Sequence, residues 1–152
     1  MITLDYAIRS APAANTELRD VGESELHYDL FLGDIIFRAD DSDMSAPWGW
    51  IPVIDFAACL SRIAEGLQPN ETKSFEFTES EHRIDFTMRE GMIEIRATYS
   101  DQAVRVTRDE LRRSTREFLR RVLDDLSARH PSLTANRAIQ RLYPKSLVSG
   151  AK

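Results

Sequence analysis

The chain has 152 residues, 42% of them apolar and 30% charged, with six glycines and six prolines. That is enough apolar material for one packed core, and it excludes collagen-like, low-complexity and disordered chains. No apolar run approaches the ~20 residues of a membrane helix, no secretory leader is legible at the N-terminus, and the single cysteine forbids an internal disulfide, so the expected address is the cytoplasm.

The net charge of −5 is unevenly spread: residues 1–60 hold 11 acids against 3 arginines, and residues 103–152 hold 5 acids against 12 bases. Either the two ends neutralise one another in the fold, or the asymmetry orients the molecule toward a charged partner.

In chain order, Ile2, Leu4, Tyr6 and Ile8 recur at period two and predict a strand over 1–9. A connector follows over 10–24. Leu26, Tyr28, Leu30 and Leu32 alternate in the same way, and Ile35-Ile36-Phe37 runs out of Gly33-Asp34, which predicts strands over 25–38 joined by a Gly-Asp hairpin turn. Residues 39–50 read as a loop. Pro52 opens a helix over 52–67, whose stripe is Val53, Phe56, Ala57, Leu60, Ile63, Ala64 and Leu67.

Residues 73–107 alternate apolar with polar through Phe75, Phe77, Ile84, Phe86, Met88, Ile93, Ile95, Ala97, Tyr99, Val104 and Val106, with turn signals at 79–81, 90–91 and 100–101. Strands joined this tightly form a four-stranded antiparallel meander, because parallel pairing needs a long crossover. Thr107 with Glu110 forms a capping box ahead of a helix over 107–129. A short helix over 132–143 follows, and the tail after Pro144 is expected to fray. The whole, 1–152, reads as a single α+β domain: a predominantly antiparallel sheet of about six or seven strands with two main helices packed on one face.

Neither an active site nor a cofactor site is legible. His27, His82 and His130 share no metal-binding spacing, and no zinc, calcium or other metal centre is expected. Cys59 reads as a small buried hydrophobe; as a nucleophile it would need His27 or His82 brought to it by the fold. No glycine-rich phosphate loop occurs. The long helix carries Arg113, Arg116, Arg120 and Arg121 interleaved with Glu117, Asp124 and Asp125, which predicts i, i+4 ion pairs on a solvated face rather than a nucleic-acid grip.

One segment stands apart. Asp40, Asp41 and Asp43 lie beside Met44 and the only two tryptophans, Trp48 and Trp50. Large aromatics flanked by acids are what a hot spot for a basic protein partner uses, and these six residues are the expected partner-binding set. The alternative, favoured for Trp50, is that the rings turn inward and staple the loop to the next helix.

At Phe31-Leu-Gly-Asp-Ile-Ile-Phe37, Pro52-Val-Ile-Asp-Phe-Ala-Ala-Cys-Leu60 and Phe75-Glu-Phe-Thr-Glu-Ser80, the chain resembles small uncharacterised proteins of GC-rich bacteria. Its layout is also similar to immunity proteins of bacterial polymorphic-toxin systems. That resemblance implies a non-catalytic, cytoplasmic protein that binds and neutralises a toxin domain, without nucleic acid, membrane or cofactor. Other readings are a homodimeric or adaptor interaction module and a small-ligand binder or enzyme using a pocket between sheet and helix.

Overall fold

A computed structural model describes residues 1–144; the expected frayed tail lies outside them. The protein is α+β, with eight strands in two antiparallel four-stranded sheets. The elements are β1 (Ile2–Ser10), α1 (Glu23–Tyr28), β2 (Leu32–Ala39), β3 (Ser42–Asp43), β4 (Ala46–Pro52), α2 (Val53–Gly66), β5 (Thr72–Glu76), β6 (Arg83–Arg89), β7 (Met92–Ala97), β8 (Ala103–Thr107), α3 (Arg108–Arg129), a 3-10 turn (Pro131–Ala135) and α4 (Arg137–Leu142).

β2 is the centre of the first sheet, pairing with β1 on one side and with β3 and β4 on the other. β5 to β8 form the second sheet, in chain order. In the expected meander, Phe75 lies opposite Ile84, Phe86 opposite Ile95, and Ile95 opposite Val104. All of these are buried, while Arg96 and Arg105 face water on the other side, as period-two alternation over a core requires. The anticipated single sheet therefore divides in two. α2 follows β4 directly, and it packs with α3 against strands of both sheets. Phe37 of β2 stacks on Phe86 of β6 at 6.4 Å, and Phe56 of α2 meets Phe75 and Phe118 edge-on.

Two sequence expectations fail between residues 23 and 34. Residues 23–28 form helix α1, not a strand. Gly22 precedes it in an extended conformation, and Glu23 and Glu25 occupy its first turn, where acids favour the positive end of the helix dipole. It buries Leu26 and His27 and leaves Tyr28 46% exposed, so the Leu26/Tyr28/Leu30 alternation is not used. α1 packs on α2, which explains why α2 also buries Ile54, Asp55, Ala58 and Ser61 outside its predicted stripe.

Gly33 and Asp34 make no turn. Both lie inside β2, opposite Ile8 and Ala7. Glycine is required at 33 because the strands crowd there: a Cβ would sit 1.9 Å from the Ala7 carbonyl oxygen. Asp34 is instead held by Arg9, whose Nε and Nη2 both donate to its Oδ2 at 3.0 and 2.8 Å.

The helix-start expectation at Thr107 holds in half. Its hydroxyl accepts from the Glu110 backbone N–H at 3.1 Å, while the Glu110 carboxylate faces the Met1 ammonium at 3.3 Å.

Gly33→Ala should lower stability by about 3 kcal/mol or more, above the usual range for one added methyl, because backbone rather than a side chain must move. Urea unfolding would show a lower midpoint at unchanged slope; an unchanged midpoint would mean that β1 and β2 are not so close.

Candidate functional site

The candidate site grows out of an irregularity in the first sheet. β2 and β4 pair at Ile35 with Ala46 and again at Gly33 with Ile51. Between those pairs β2 supplies only Asp34, whereas β4 supplies residues 47–50. The surplus leaves the ladder as a large bulge of the special kind, which Gly49 permits by adopting φ +81°. Trp48 and Trp50, two residues apart, emerge stacked, with ring centres 5.5 Å apart and planes 26° from parallel.

Trp48 is the hub of an aromatic cluster bridging the two sheets. Phe77 and Tyr99 meet it edge-on at 5.0 Å each, and His82 lies at 5.5 Å. Such pairs contribute ~1 kcal/mol each beyond the area they bury. Polar bonds fix the outer rings: the Tyr99 hydroxyl donates to the Met44 carbonyl at 2.6 Å, and His82 Nδ1 lies 3.1 Å from the Thr98 hydroxyl. Burial, with Asp43 nearby, pushes the Tyr99 phenol far up, so it stays a donor.

The β2–β3 hairpin and the two turns that hold Phe77, His82 and Tyr99 carry the exposed acids Asp41, Asp43, Glu79, Glu81 and Asp101. A backbone-to-side-chain bond from Asp43 to Gln102 (3.3 Å) ties the first turn to the third. Among the described residues only Asp43 of these five is ion-paired, with Arg38 at 3.4 Å. A cavity of about 470 Å³, lined by Glu76, Phe77, Glu81, His82 and Arg83 among others, opens beside the cluster.

The six expected contact residues divide accordingly. Trp48 and Trp50 are half-buried, on a bulged strand rather than a loop. Asp41 is exposed and free of ion pairs among the described residues. Asp43 is committed to Ser45, whose hydroxyl and backbone N–H hold its carboxyl below the usual range. Asp40, at φ +52°, accepts from the Met1 ammonium at 2.8 Å. Met44 is 0% exposed and belongs to the core. It cannot meet a partner, because its side chain lies in the core and its backbone is bonded to Phe37 and Tyr99. Phe77, His82 and Tyr99 were not anticipated in this site. Each stands at the end of a meander run, and no spacing in the sequence links them to the tryptophans.

A second polar cluster lies where α1 meets α2. His27 Nδ1 is 3.2 Å from Asp55 Oδ1, and the Cys59 thiol donates to the same oxygen at 3.5 Å. The fold thus brings His27 to the neighbourhood of Cys59, but both groups converge on the carboxylate. No thiol–imidazole–carboxylate relay is formed. Burial first, and then the Asp55 charge, push the Cys59 thiol up to about 11. Alkylation of Cys59 by iodoacetamide should therefore be slow at pH 7.5 and should keep accelerating well past pH 9, since only the thiolate reacts. A rate that levels off near pH 8.5 would contradict this.

The arginines of α3 pair differently from expectation. None of the four i, i+4 pairs, Arg113 with Glu117, Glu117 with Arg121, Arg120 with Asp124 or Arg121 with Asp125, is an ion pair. Arg112 and Arg116 reach Glu65 of α2 instead, Arg108 donates to the Glu65 carbonyl at 2.8 Å, and Arg121 reaches Asp5 of β1 at 3.0 Å. Two tyrosines take the helix acids: Tyr6 donates to Asp125 (2.7 Å) and Tyr143 to Asp124 (2.8 Å). Contacts between elements win because the helix packs with these residues facing its neighbours.

Among the described residues no three His, Cys, Asp or Glu side chains are grouped to hold a metal ion, and no helix is long and apolar enough to cross a membrane. No family model matches the chain, and no curated protein or solved structure matches it either.

Because Trp48 bridges the sheets, Trp48→Ala should cost about 3 kcal/mol, in the range of large aromatic truncations. Trp50→Ala, lacking the contacts to Tyr99 and His82, should cost clearly less. Equal losses in denaturant unfolding would refute the bridging role.

Proposed function

We propose that this chain is a non-catalytic protein-binding domain, an immunity or antitoxin-like protein that binds and neutralises a basic bacterial toxin domain through the aromatic edge. The observation that carries the reading is the stacked, half-exposed Trp48/Trp50 pair packed against Phe77 and His82, whose connecting turn carries Glu79 and Glu81, exposed acids without ion-pair partners among the described residues. Aromatic rings anchored on a rigid scaffold lose little entropy on contact. Single-sign charge around them speeds encounter with a basic surface and disfavours acidic ones. The layout resembling immunity proteins supports the same reading, as does the sequence pI of about 5.2. A cytoplasmic address belongs to this proposal and rests on the lone cysteine.

The test uses the purified product of the gene next to this chain's own, which this reading requires to be a toxin. Joint reversal of Asp41 and Glu81 to Lys should slow association several-fold and flatten its salt dependence, with dissociation little changed. Asp40 and Asp43 are left intact because their carboxylates are already engaged, with the Met1 ammonium and with Arg38 and Ser45. Trp50→Ala should chiefly speed dissociation, by ~30-fold for a hot spot worth ~2 kcal/mol. A parent protein that neither binds the toxin nor protects cells from it would end this reading. Binding unaffected by all these variants would move the interface elsewhere.

A further inference from the structure

Far from the aromatic edge in sequence, the connector between β1 and α1 faces the start of α4 across a cavity of about 530 Å³, within the size range of small-molecule sites. Its charged lining is Arg19, Arg137 and Arg141 with Asp20 and Glu23. Arg137 and Arg141 stand four residues apart and so share one face of α4; Arg19 comes from the opposite wall. All three are exposed, and none is in an ion pair among the described residues. Arg9, Arg112, Arg116 and Arg121, by contrast, are engaged at Asp34, Glu65 and Asp5.

The two walls are fastened before any ligand arrives. Asn136, 2% exposed, spends its whole side chain on the joint. Its amide donates to the carbonyls of Leu18 (2.8 Å) and Val21 (3.0 Å), while its oxygen accepts from the N–H groups of Ala138 and Ile139. The Ser132 hydroxyl adds two more ties, accepting from the Leu18 N–H at 2.8 Å and donating to the Thr16 carbonyl at 3.1 Å. The cavity is therefore preorganised, which lowers the ordering cost of binding.

We infer that this cavity binds a phosphate monoester carried on a polyhydroxylated body, a sugar-phosphate type of ligand. Three arginines lining the cavity from two walls suit a dianion with several acceptor oxygens better than a single carboxylate, which one arginine satisfies. The carboxyl oxygens of Asp20 and Glu23 accept from hydroxyl donors, and they disfavour ligands of higher negative charge. This site is independent of the proposed toxin-binding edge.

The experiment is calorimetric and NMR titration of the full chain with ribose 5-phosphate, ribose and inorganic phosphate. Ribose 5-phosphate should bind saturably, about tenfold or more tighter than inorganic phosphate, and ribose should not bind measurably. Arg137→Ala and Arg141→Ala, both exposed, should keep the parent's melting temperature and weaken ribose 5-phosphate about tenfold or more each. Arg137→Lys should recover only part of that loss, because it keeps charge without the bidentate fork. Arg113→Ala, on α3, serves as control and should change nothing. Absence of saturable ribose 5-phosphate binding overturns the inference, and so does parent-like affinity in the Arg137 and Arg141 variants. Equal weakening by Arg113→Ala reduces the effect to net charge and also overturns it. Ribose 5-phosphate binding no tighter than inorganic phosphate overturns the polyhydroxylated part.

Discussion

The first sheet depends on the close approach of β2 to β1 at Gly33. Only a residue without a Cβ lets the Ala7 carbonyl come so near, and β2 is the strand on which β1, β3 and β4 all pair. Once β2 is seated, the chain before it has no place in the sheet and closes over α2 as the short helix α1. The chain after it must return along the free side of β2. That return strand is longer than the ladder it matches, and residues 47–50 bulge outward. The tryptophan pair thus stands where the strands mismatch, on a bulge shaped by the backbone.

The same rings do two jobs that pull on one another. Trp48 ties the bulge to Phe77, Tyr99 and His82 of the second sheet, which makes the edge rigid. Rigidity is what an interface needs, since an anchor already held in place loses little freedom on binding. A ring that also bridges the sheets cannot be altered without loosening the fold, so Trp50, with fewer internal contacts, is the cleaner reporter of binding.

Charge is sorted by the tertiary structure in a way its linear distribution only hints at. Acids and bases distant in sequence cancel where elements pack: Asp5 with Arg121, and Glu65 with Arg112 and Arg116. Charges without ion pairs remain over much of the described surface, Arg113, Arg120, Glu25 and Glu117 among them, and two groups of them stand beside an aromatic cluster or a cavity. Acids without ion-pair partners among the described residues flank the aromatic edge, and arginines in the same condition line the cavity between the connector and α4. Exposed ion pairs contribute little individually, so the functional content lies in the charges the fold leaves over.

The meander, both long helices and the first strand were legible in the sequence, because each shows its own hydrophobic period over enough residues to outweigh alternatives. Trp48 and Trp50 were legible as an unusual pair for their composition alone. The helix at 23–28 was not, because six residues carry too short a pattern and Leu26, Tyr28 and Leu30 alternate by accident. Gly33 carries the signature of a turn because sequence shows that a side chain is missing and not why; the reason is a neighbour 26 residues away. Met44, Phe77, His82 and Tyr99 took their places through pairing between segments, and so did the partners of the α3 arginines. Local periodicity fixes which face of each element is buried, whereas register and docking decide which residues meet, and those depend on contacts no single window of the chain contains.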